Sequence, residues 1–170
     1  MNYKVYGPFE IRRNGHLVSR RRRDKAEFWA QVENARSGLP DACGCYLLVI
    51  RNRAWYVGLA EKQSFKSECF SLHKIVQYNE ALKARQGRPS LLLIAKTTPN
   101  DRFARTSSRG HKDARLLENL LIGAALRRNP NLQNVHGTRL MREMKVPGVL
   151  NTRAGKPSAE VRCLKTALGM

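Results

Sequence analysis

Two tyrosines and one glutamate are the residues of this sequence whose placement most suggests chemistry. Tyr46 and Tyr56 are ten positions apart, each inside a short apolar run with strand character. Glu118 lies in an otherwise apolar stretch, where an unpaired buried carboxylate would be costly. One carboxylate is enough to hold Mg²⁺, and a tyrosine can act as a general base when its pKa is drawn toward neutrality. Groups of these types are among those that metal-assisted hydrolysis uses.

The net charge of the chain predicts a polyanionic partner. Of 170 residues, 32 are Lys or Arg and 13 are Asp or Glu, a formal net charge of +19 at pH 7. Self-repulsion of this size favours binding to nucleic acid, and the basic residues are spread over the whole chain. We expect double-stranded DNA as the partner, with RNA as an alternative. The alternative to a nucleic-acid enzyme or binding protein is a basic structural protein of a ribosome or of another anionic surface.

The most concentrated charge is a run of four consecutive arginines, Arg20, Arg21, Arg22 and Arg23. Such runs are commonly solvated segments that contact phosphates. We predict that these four residues bind nucleic acid, and a merely solvated arm is the alternative.

Strand patterns place the two tyrosines on one hairpin. Cys45–Ile50 and Ala54–Leu59 are the predicted strands, and the short polar turn between them makes them antiparallel neighbours. Apolar residues at spacings of three and four predict helices elsewhere, and a continuous apolar run predicts a buried strand. The remaining core elements are a helix over 64–85, a strand over 91–95 and a helix over 112–128. The predicted order is β-β-α-β-α, an α/β (α+β) fold.

Both ends of the chain add elements to this core. Asn14-Gly15, between the strand-like runs Pro8–Arg13 and His16–Arg20, predicts a hairpin. Asp24 to Glu27 has the form of a capping box at the start of a helix, and another helix is predicted from near Ser158. The predicted parts are residues 1–38 (hairpin, basic arm and helix), residues 39–136 (the core) and residues 137–170 (a helical extension).

Four motifs in a fixed order carry a resemblance to a known family. Gly44-Cys45-Tyr46, Tyr56-Val57-Gly58, Glu118 in its helix and Asn134 after a Pro-Asn-Leu step resemble the GIY-YIG nuclease family. The resemblance covers a little over half the chain. It implies a small three-stranded, mostly antiparallel sheet flanked by helices.

The resemblance also implies a role for each matching residue. Tyr46 and Tyr56 would act as the base and the water-orienting group, and Glu118 would hold one Mg²⁺ ion. Gly58 and Asn134 would be structural supports, with Asn134 tying its loop near the active centre.

One part of the family pattern has no clear match. In the helix after the second strand the family carries an Arg and, one turn later, a His or Tyr. Counting from Gly58 without a gap selects Lys66 and Phe70, and allowing three extra residues selects Cys69 and His73. A helix would place residues 66 and 73 on one stripe, so we predict that Lys66 and His73 hold the phosphate. Lys lacks the bidentate fork of Arg, and which of the four residues replaces that Arg stays open.

The resemblance therefore implies a Mg²⁺-dependent endonuclease that acts on DNA in a restriction, mobile-element or defence role. A homodimer would let a protein with one site cut both strands. The alternatives are a non-catalytic nucleic-acid-binding protein on the same scaffold and a ribonuclease toxin.

The spacing of the cysteines and the absence of long apolar runs indicate where in the cell the protein is expected. The four cysteines lack the spacing of a zinc site, and we expect free thiols in a reducing compartment. The N-terminus lacks a charged start followed by an apolar stretch, and no run reaches membrane-spanning length. We expect a cytoplasmic protein with no membrane partner.

Overall fold

The computed structural model describes residues 1–134, 138–149 and 158–169, and the chain forms two compact units, Met1–Asn134 and Val135–Met170. Residues 1–38 belong to the first unit. The first unit contains β1 (Asn2–Glu10), β2 (Arg13–Asn14), β3 (Leu17–Val18), α1 (Arg22–Ala35), a 3-10 turn (Leu39–Asp41), β4 (Gly44–Ile50), β5 (Arg53–Ala60), α2 (Phe65–Glu68), α3 (Leu72–Ala84), β6 (Pro89–Thr97) and α4 (Lys112–Arg128). The second contains α5 (Thr138–Glu143) and α6 (Ala159–Ala167).

The main sheet is antiparallel and has the strand order β1-β6-β4-β5. The mixed helix-and-strand class is confirmed, but the sheet has four strands rather than three because β1 pairs along β6. The sequence pattern misplaced this strand over Pro8–Arg13, since a Gly-Pro step inside a run normally marks a strand end. Here the register shifts between Tyr6 and Phe9, and the strand continues past the proline.

The N-terminal hairpin is present but short. Arg13 pairs with Val18 and Asn14 pairs with Leu17, and Gly15 adopts a positive φ of 62° at the turn. The capping-box prediction is wrong, because α1 begins before Asp24. The carboxylate of Asp24 instead accepts a hydrogen bond from the hydroxyl of Ser19.

The core lies against one face of the main sheet. Alternate residues of β6 are buried and partly exposed, as expected for a strand with one fully covered face. Helices α1 and α3 supply the aromatic and aliphatic side chains that cover this face. Their buried residues are Phe28, Trp29, Val32, Tyr78, Ala81 and Leu82.

The segment after α4 closes the outer edge of β5. The side chain of Asn129 donates to Ala54 O (2.8 Å), and Gln133 N donates to Trp55 O (2.8 Å). The side chain of Asn134 bonds the same backbone residue twice: Val57 N donates to Oδ1 (2.8 Å), and Nδ2 donates to Val57 O (2.7 Å). These hydrogen bonds hold the segment along the strand that carries Tyr56.

The described residues of the second unit form two short helices, of which α6 begins where the sequence predicts a helix. The hydroxyl of Ser158 accepts a hydrogen bond from Val161 N (3.4 Å) at its start. Among the helices in the described parts of the chain, none has the length and apolar character needed to cross a bilayer.

Asn134→Ala should destabilise the first unit by about 2–4 kcal/mol, because it leaves a backbone donor and a backbone acceptor of Val57 without partners. Urea denaturation followed by tryptophan fluorescence measures this change. Asn131→Ala is the control, since Asn131 uses only its backbone in the same turn, and it should change stability by less than about 0.5 kcal/mol. Equal effects of the two substitutions would contradict a clamping role for Asn134.

Candidate active site

The segment predicted as one helix over 64–85 is two helices, and this changes which residues reach the tyrosines. Helix α2 ends at Glu68 and α3 begins at Leu72. The predicted shared stripe of Lys66 and His73 requires an unbroken helix and is therefore wrong, and both side chains are exposed.

The other two candidates for the family Arg position belong to the core. Cys69 is fully buried, and burial raises the pKa of its thiol well above the ordinary value. The ring of Phe70 packs edge-on against Phe28 at 4.9 Å and against Trp29 at 5.8 Å, measured between ring centroids.

The basic residue that contacts a predicted site tyrosine is Lys74, on the first turn of α3. Its Nζ donates to the hydroxyl of Tyr56 (2.6 Å) and lies 3.2 Å from a carboxylate oxygen of Glu68. The ammonium also lies 5.0 Å from the centre of the Tyr56 ring. Burial alone would lower the pKa of Lys74, but the hydrogen bond to Tyr56 and the charge of Glu68 outweigh it and raise that pKa.

Sequence reasoning missed Lys74 because it counted along an unbroken helix. The signal that could have found it is Ser71, a residue type that favours the position before a helix. A helix starting after Ser71 puts Lys74 one turn before Tyr78.

Three tyrosines lie in a row beneath the sheet. Ring centroids are 6.2 Å apart between Tyr46 and Tyr56, and 6.2 Å apart between Tyr56 and Tyr78. The hydroxyls of Tyr46 and Tyr78 are buried and form no hydrogen bond of good geometry with the described residues. Burial raises the pKa of Tyr46 well above its ordinary value, and Tyr78 adds to that shift. Ionisation of Tyr46 is therefore disfavoured, and Tyr56 is the tyrosine better placed for proton transfer.

Gly58 makes the position of Tyr46 possible. It lies opposite Tyr46 on the neighbouring strand, and a Cβ at residue 58 would overlap the end of the Tyr46 phenol ring. The absence of a side chain therefore lets this ring cross β5 and reach Tyr56.

Glu118 is half-buried on α4 and forms neither an ion pair nor a hydrogen bond with any residue in the described parts of the chain. An ion pair with Arg115 or Lys112 would give Glu118 a purely structural role. Arg115 Nε instead donates to both carboxylate oxygens of Glu61 (2.9 and 3.1 Å), and Lys112 forms no ion pair with the described residues. Burial raises the pKa of Glu118, Lys74 opposes this, and the charges of Glu61 and Glu68 raise it further. Glu118 is thus close enough to Lys74 and to two carboxylates for their charges to act on it.

The carboxylate of Glu118 fits a hard cation held mostly by water. Across residues 1–134, 138–149 and 158–169, no group of three or more His, Cys, Asp or Glu side chains could hold a metal ion. A zinc-type site is therefore not supported there. Mg²⁺ needs only one or two protein carboxylates, and an unpaired carboxylate beside other negative charges suits it.

The start of α4, and with it Glu118, is held by two sets of polar contacts. At the end of β5, Glu61 accepts hydrogen bonds from Arg115 and from His111 N (2.7 Å). On the other side, Asp113 accepts from Lys96 of β6 (2.7 Å) and from Tyr3 of β1 (2.7 Å). Burial alone would raise the pKa of Asp113, but these two partners outweigh it and lower that pKa to about 2. No sequence signal predicts these pairs, which join residues far apart in the chain.

The four arginines of the predicted nucleic-acid-binding run lie at the start of α1, and all are exposed. Arg23 pairs with Glu27 (2.9 Å). The side chains of Arg20, Arg21 and Arg22 form no ion pair with the described residues and remain available to an anion.

Comparison with known proteins adds no assignment: no family model, curated protein or solved structure matches this chain.

Glu118→Gln should make the protein more stable at neutral pH. Because the folded pKa of Glu118 lies above the ordinary value of 4.5, the ionised carboxylate destabilises the folded state at pH values above this range. The gain should shrink as pH falls through the folded pKa and vanish below the unfolded one, since Glu118 is then protonated in both states. Urea midpoints measured across this pH range test it.

Glu80→Gln provides the control, because Glu80 is exposed and pairs with Lys83 (2.7 Å). It should be neutral or lose up to about 0.5 kcal/mol. If the Glu118→Gln protein were less stable than wild type at neutral pH, the ionised carboxylate of Glu118 would have a stabilising partner, contrary to this prediction.

Proposed function

We propose that this protein is a Mg²⁺-dependent endonuclease of the GIY-YIG type that cleaves DNA. The observation that carries the proposal is the hydrogen bond from Lys74 to Tyr56, together with Glu118, whose carboxyl forms no ion pair with the described residues and is near enough for the charge of Lys74 to act on it. A general base, a cation for the phosphate and a carboxylate for a metal ion are the groups that phosphodiester hydrolysis requires.

Each group has a separate task in this proposal. The hydroxyl oxygen of Tyr56 accepts a hydrogen bond from the Lys74 ammonium. In this proposal the phenol orients the attacking water, and Tyr56 as phenolate would take the proton of that water. Lys74 stabilises negative charge on the non-bridging oxygens as a point charge. Glu118 would hold Mg²⁺, which when bound supplies Lewis-acid stabilisation of the leaving oxygen. Tyr46 packs against Tyr56 and helps to fix its ring.

Two further features support the family relationship. Strands β5, β4 and β6 are consecutive antiparallel neighbours in the sheet, and in this proposal they correspond to the three strands that the family resemblance implies, with β1 as an addition at the edge. Lys74 and Tyr78 stand one turn apart on the helix after the second strand, where the family carries its Arg and its His or Tyr. In this assignment Lys74 replaces the Arg, and neither Lys66 nor His73 is needed.

A non-catalytic DNA-binding protein on the same scaffold is the second candidate. It is favoured by the Lys in place of an Arg and by the burial of the Tyr46 hydroxyl beside Tyr78. A ribonuclease toxin would share every residue of the site, so RNA must be tested beside DNA. A homodimer remains part of the proposal because cutting both strands needs two sites.

Glu118→Gln and Lys74→Met should each abolish Mg²⁺-dependent nicking of supercoiled plasmid. Glu118→Gln removes the metal carboxylate and should leave DNA affinity nearly unchanged or slightly higher, since one negative charge is removed. Lys74→Met keeps the length of the side chain and removes its charge. Lys66→Met is the matched control, because Lys66 is exposed and lies outside the site, and it should cut at the wild-type rate.

Three outcomes separate the candidates. No cleavage by the wild-type protein in Mg²⁺, with tight DNA binding, would favour the binding protein. Cleavage of RNA alone would favour the toxin. Wild-type cutting by the Glu118→Gln protein would remove Glu118 from the site and contradict the proposed mechanism.

Binding to duplex DNA should weaken by orders of magnitude between about 50 and 200 mM salt, because bound counterions are released from the phosphates. Replacing Arg20, Arg21 and Arg22 together by Gln should flatten the slope of log affinity against log salt by about 0.9 for each phosphate that the variant no longer neutralises. Arg23→Gln should have a smaller effect, since Arg23 is already paired with Glu27. Fluorescence anisotropy with a labelled duplex measures both. An unchanged slope in the triple variant would show that the run does not contact phosphates.

A further inference from the structure

A second concave surface lies on the face of the main sheet that points away from the tyrosines. Leu47 and Val49 alternate with Tyr46 along β4 and therefore face the opposite side. Across the ladder they pair with Leu92 and Ser90 of β6. These residues form the floor of a groove with a volume of about 1020 Å³, which we call the back groove.

Arginines supply all the charge around the back groove. Arg51 and Arg53 come from the β4–β5 turn, Arg88 precedes β6, and Arg128 ends α4. No carboxylate is among its lining residues. Within the described parts of the chain, Arg88 reaches only Glu10, at 4.0 Å, and the other three form no ion pair. Four like charges around one depression favour an anionic occupant.

Arg51 occupies a backbone position that does not suit it. Its φ is 49°, and that of Asn52 is 59°, so both lie in the left-handed region that favours Gly or Asn in a two-residue turn. The absence of a side chain at Gly87 leaves room for the Arg51 stem, since a Cβ there would lie 3.1 Å from Arg51 Cγ. An arginine in a strained backbone position, with space for its side chain beside Gly87, is consistent with a binding role.

The composition of the back groove distinguishes between anionic partners. Its apolar lining is aliphatic and includes no aromatic ring on which a base could stack. A rim that contains arginine and no lysine matches the composition of protein–protein interfaces, in which Arg is enriched and Lys is depleted. Strands β4 and β6 are both internal to the sheet, so an occupant contacts their side chains and does not add as a strand.

We propose that the back groove binds an acidic segment of a partner protein. Aliphatic side chains of that segment contact the floor formed by Leu47, Val49 and Leu92, and its carboxylates pair with the guanidinium groups of the rim. Bidentate pairing of Arg with carboxylate gives such contacts direction as well as strength. This surface lies outside the proposed catalytic site, and the proposal stands whether or not the protein cleaves DNA.

A random peptide library displayed on phage provides the probe. Selection on the wild-type protein, with counter-selection on an Arg51→Asn, Arg128→Gln double variant, should enrich peptides that combine Asp or Glu with Leu, Ile or Val. The synthetic peptides should bind the double variant at least about tenfold more weakly than wild type. Lys62→Gln, Lys66→Gln is the control that removes equal charge outside the groove, and it should bind as wild type does. Arg51→Asn should fold at least as well as wild type, because Asn suits the left-handed turn.

Replacing the aliphatic residues of a selected peptide by Ser should also cost at least about tenfold in affinity. Three results would overturn the proposal. The first is a selection that does not enrich peptides combining acidic and aliphatic residues. The second is a selected peptide that binds the wild-type protein and the double variant equally well. The third combines two observations. The Ser-substituted peptide keeps its affinity for the wild-type protein, and the double variant loses as much affinity for duplex DNA as it does for the selected peptide. That result would make the groove a general anion site.

Discussion

The ammonium group of Lys74 lies where three elements of the first unit meet. It bonds Tyr56 of β5, pairs with Glu68 of α2, and its charge acts on Glu118 of α4. A partly buried cation is tolerated only where anions or acceptors surround it, and here they come from both sides of the strand edge. Removing this charge would leave Glu68 without its ion-pair partner and Glu118 without the charge that offsets the effect of Glu68 on it. The arrangement of the candidate site therefore depends on one side chain.

The rest of the unit holds the surroundings of Lys74 in place. Gly58 lets the Tyr46 ring support Tyr56, and Asn134 fastens the strand that carries Tyr56. The two polar anchors at Glu61 and Asp113 fix the start of the helix that carries Glu118. Because these interactions come from distant parts of the chain, the site forms only when the whole unit has folded. The back groove uses the other face of the same sheet, so the two surfaces share a scaffold and no residues.

Local patterns predicted the parts of the structure that depend on local physics. Short apolar runs located β4 and β5, and periodic apolar residues located the helix of Glu118. The helix break at Cys69–Ser71 was missed because Phe65, Cys69 and Leu72 keep a helical spacing across it. Strand β1 was misplaced because its pairing with β6 is a long-range contact that no local pattern records. Lys74 was overlooked for both reasons, since its position follows from the break and its partners lie on other elements.

The two borders of the main sheet are protected in different ways. The segment around Asn134 occupies the backbone groups of β5, while β1 carries a register shift and a proline that cannot donate a hydrogen bond. These features interrupt the row of free donors and acceptors along each border, on which a further strand could otherwise assemble. Strand-by-strand growth into fibrils is therefore disfavoured even when the strong positive charge of the chain is neutralised by a bound polyanion. Crowding along a nucleic acid would then bring copies of the protein together without joining their sheets.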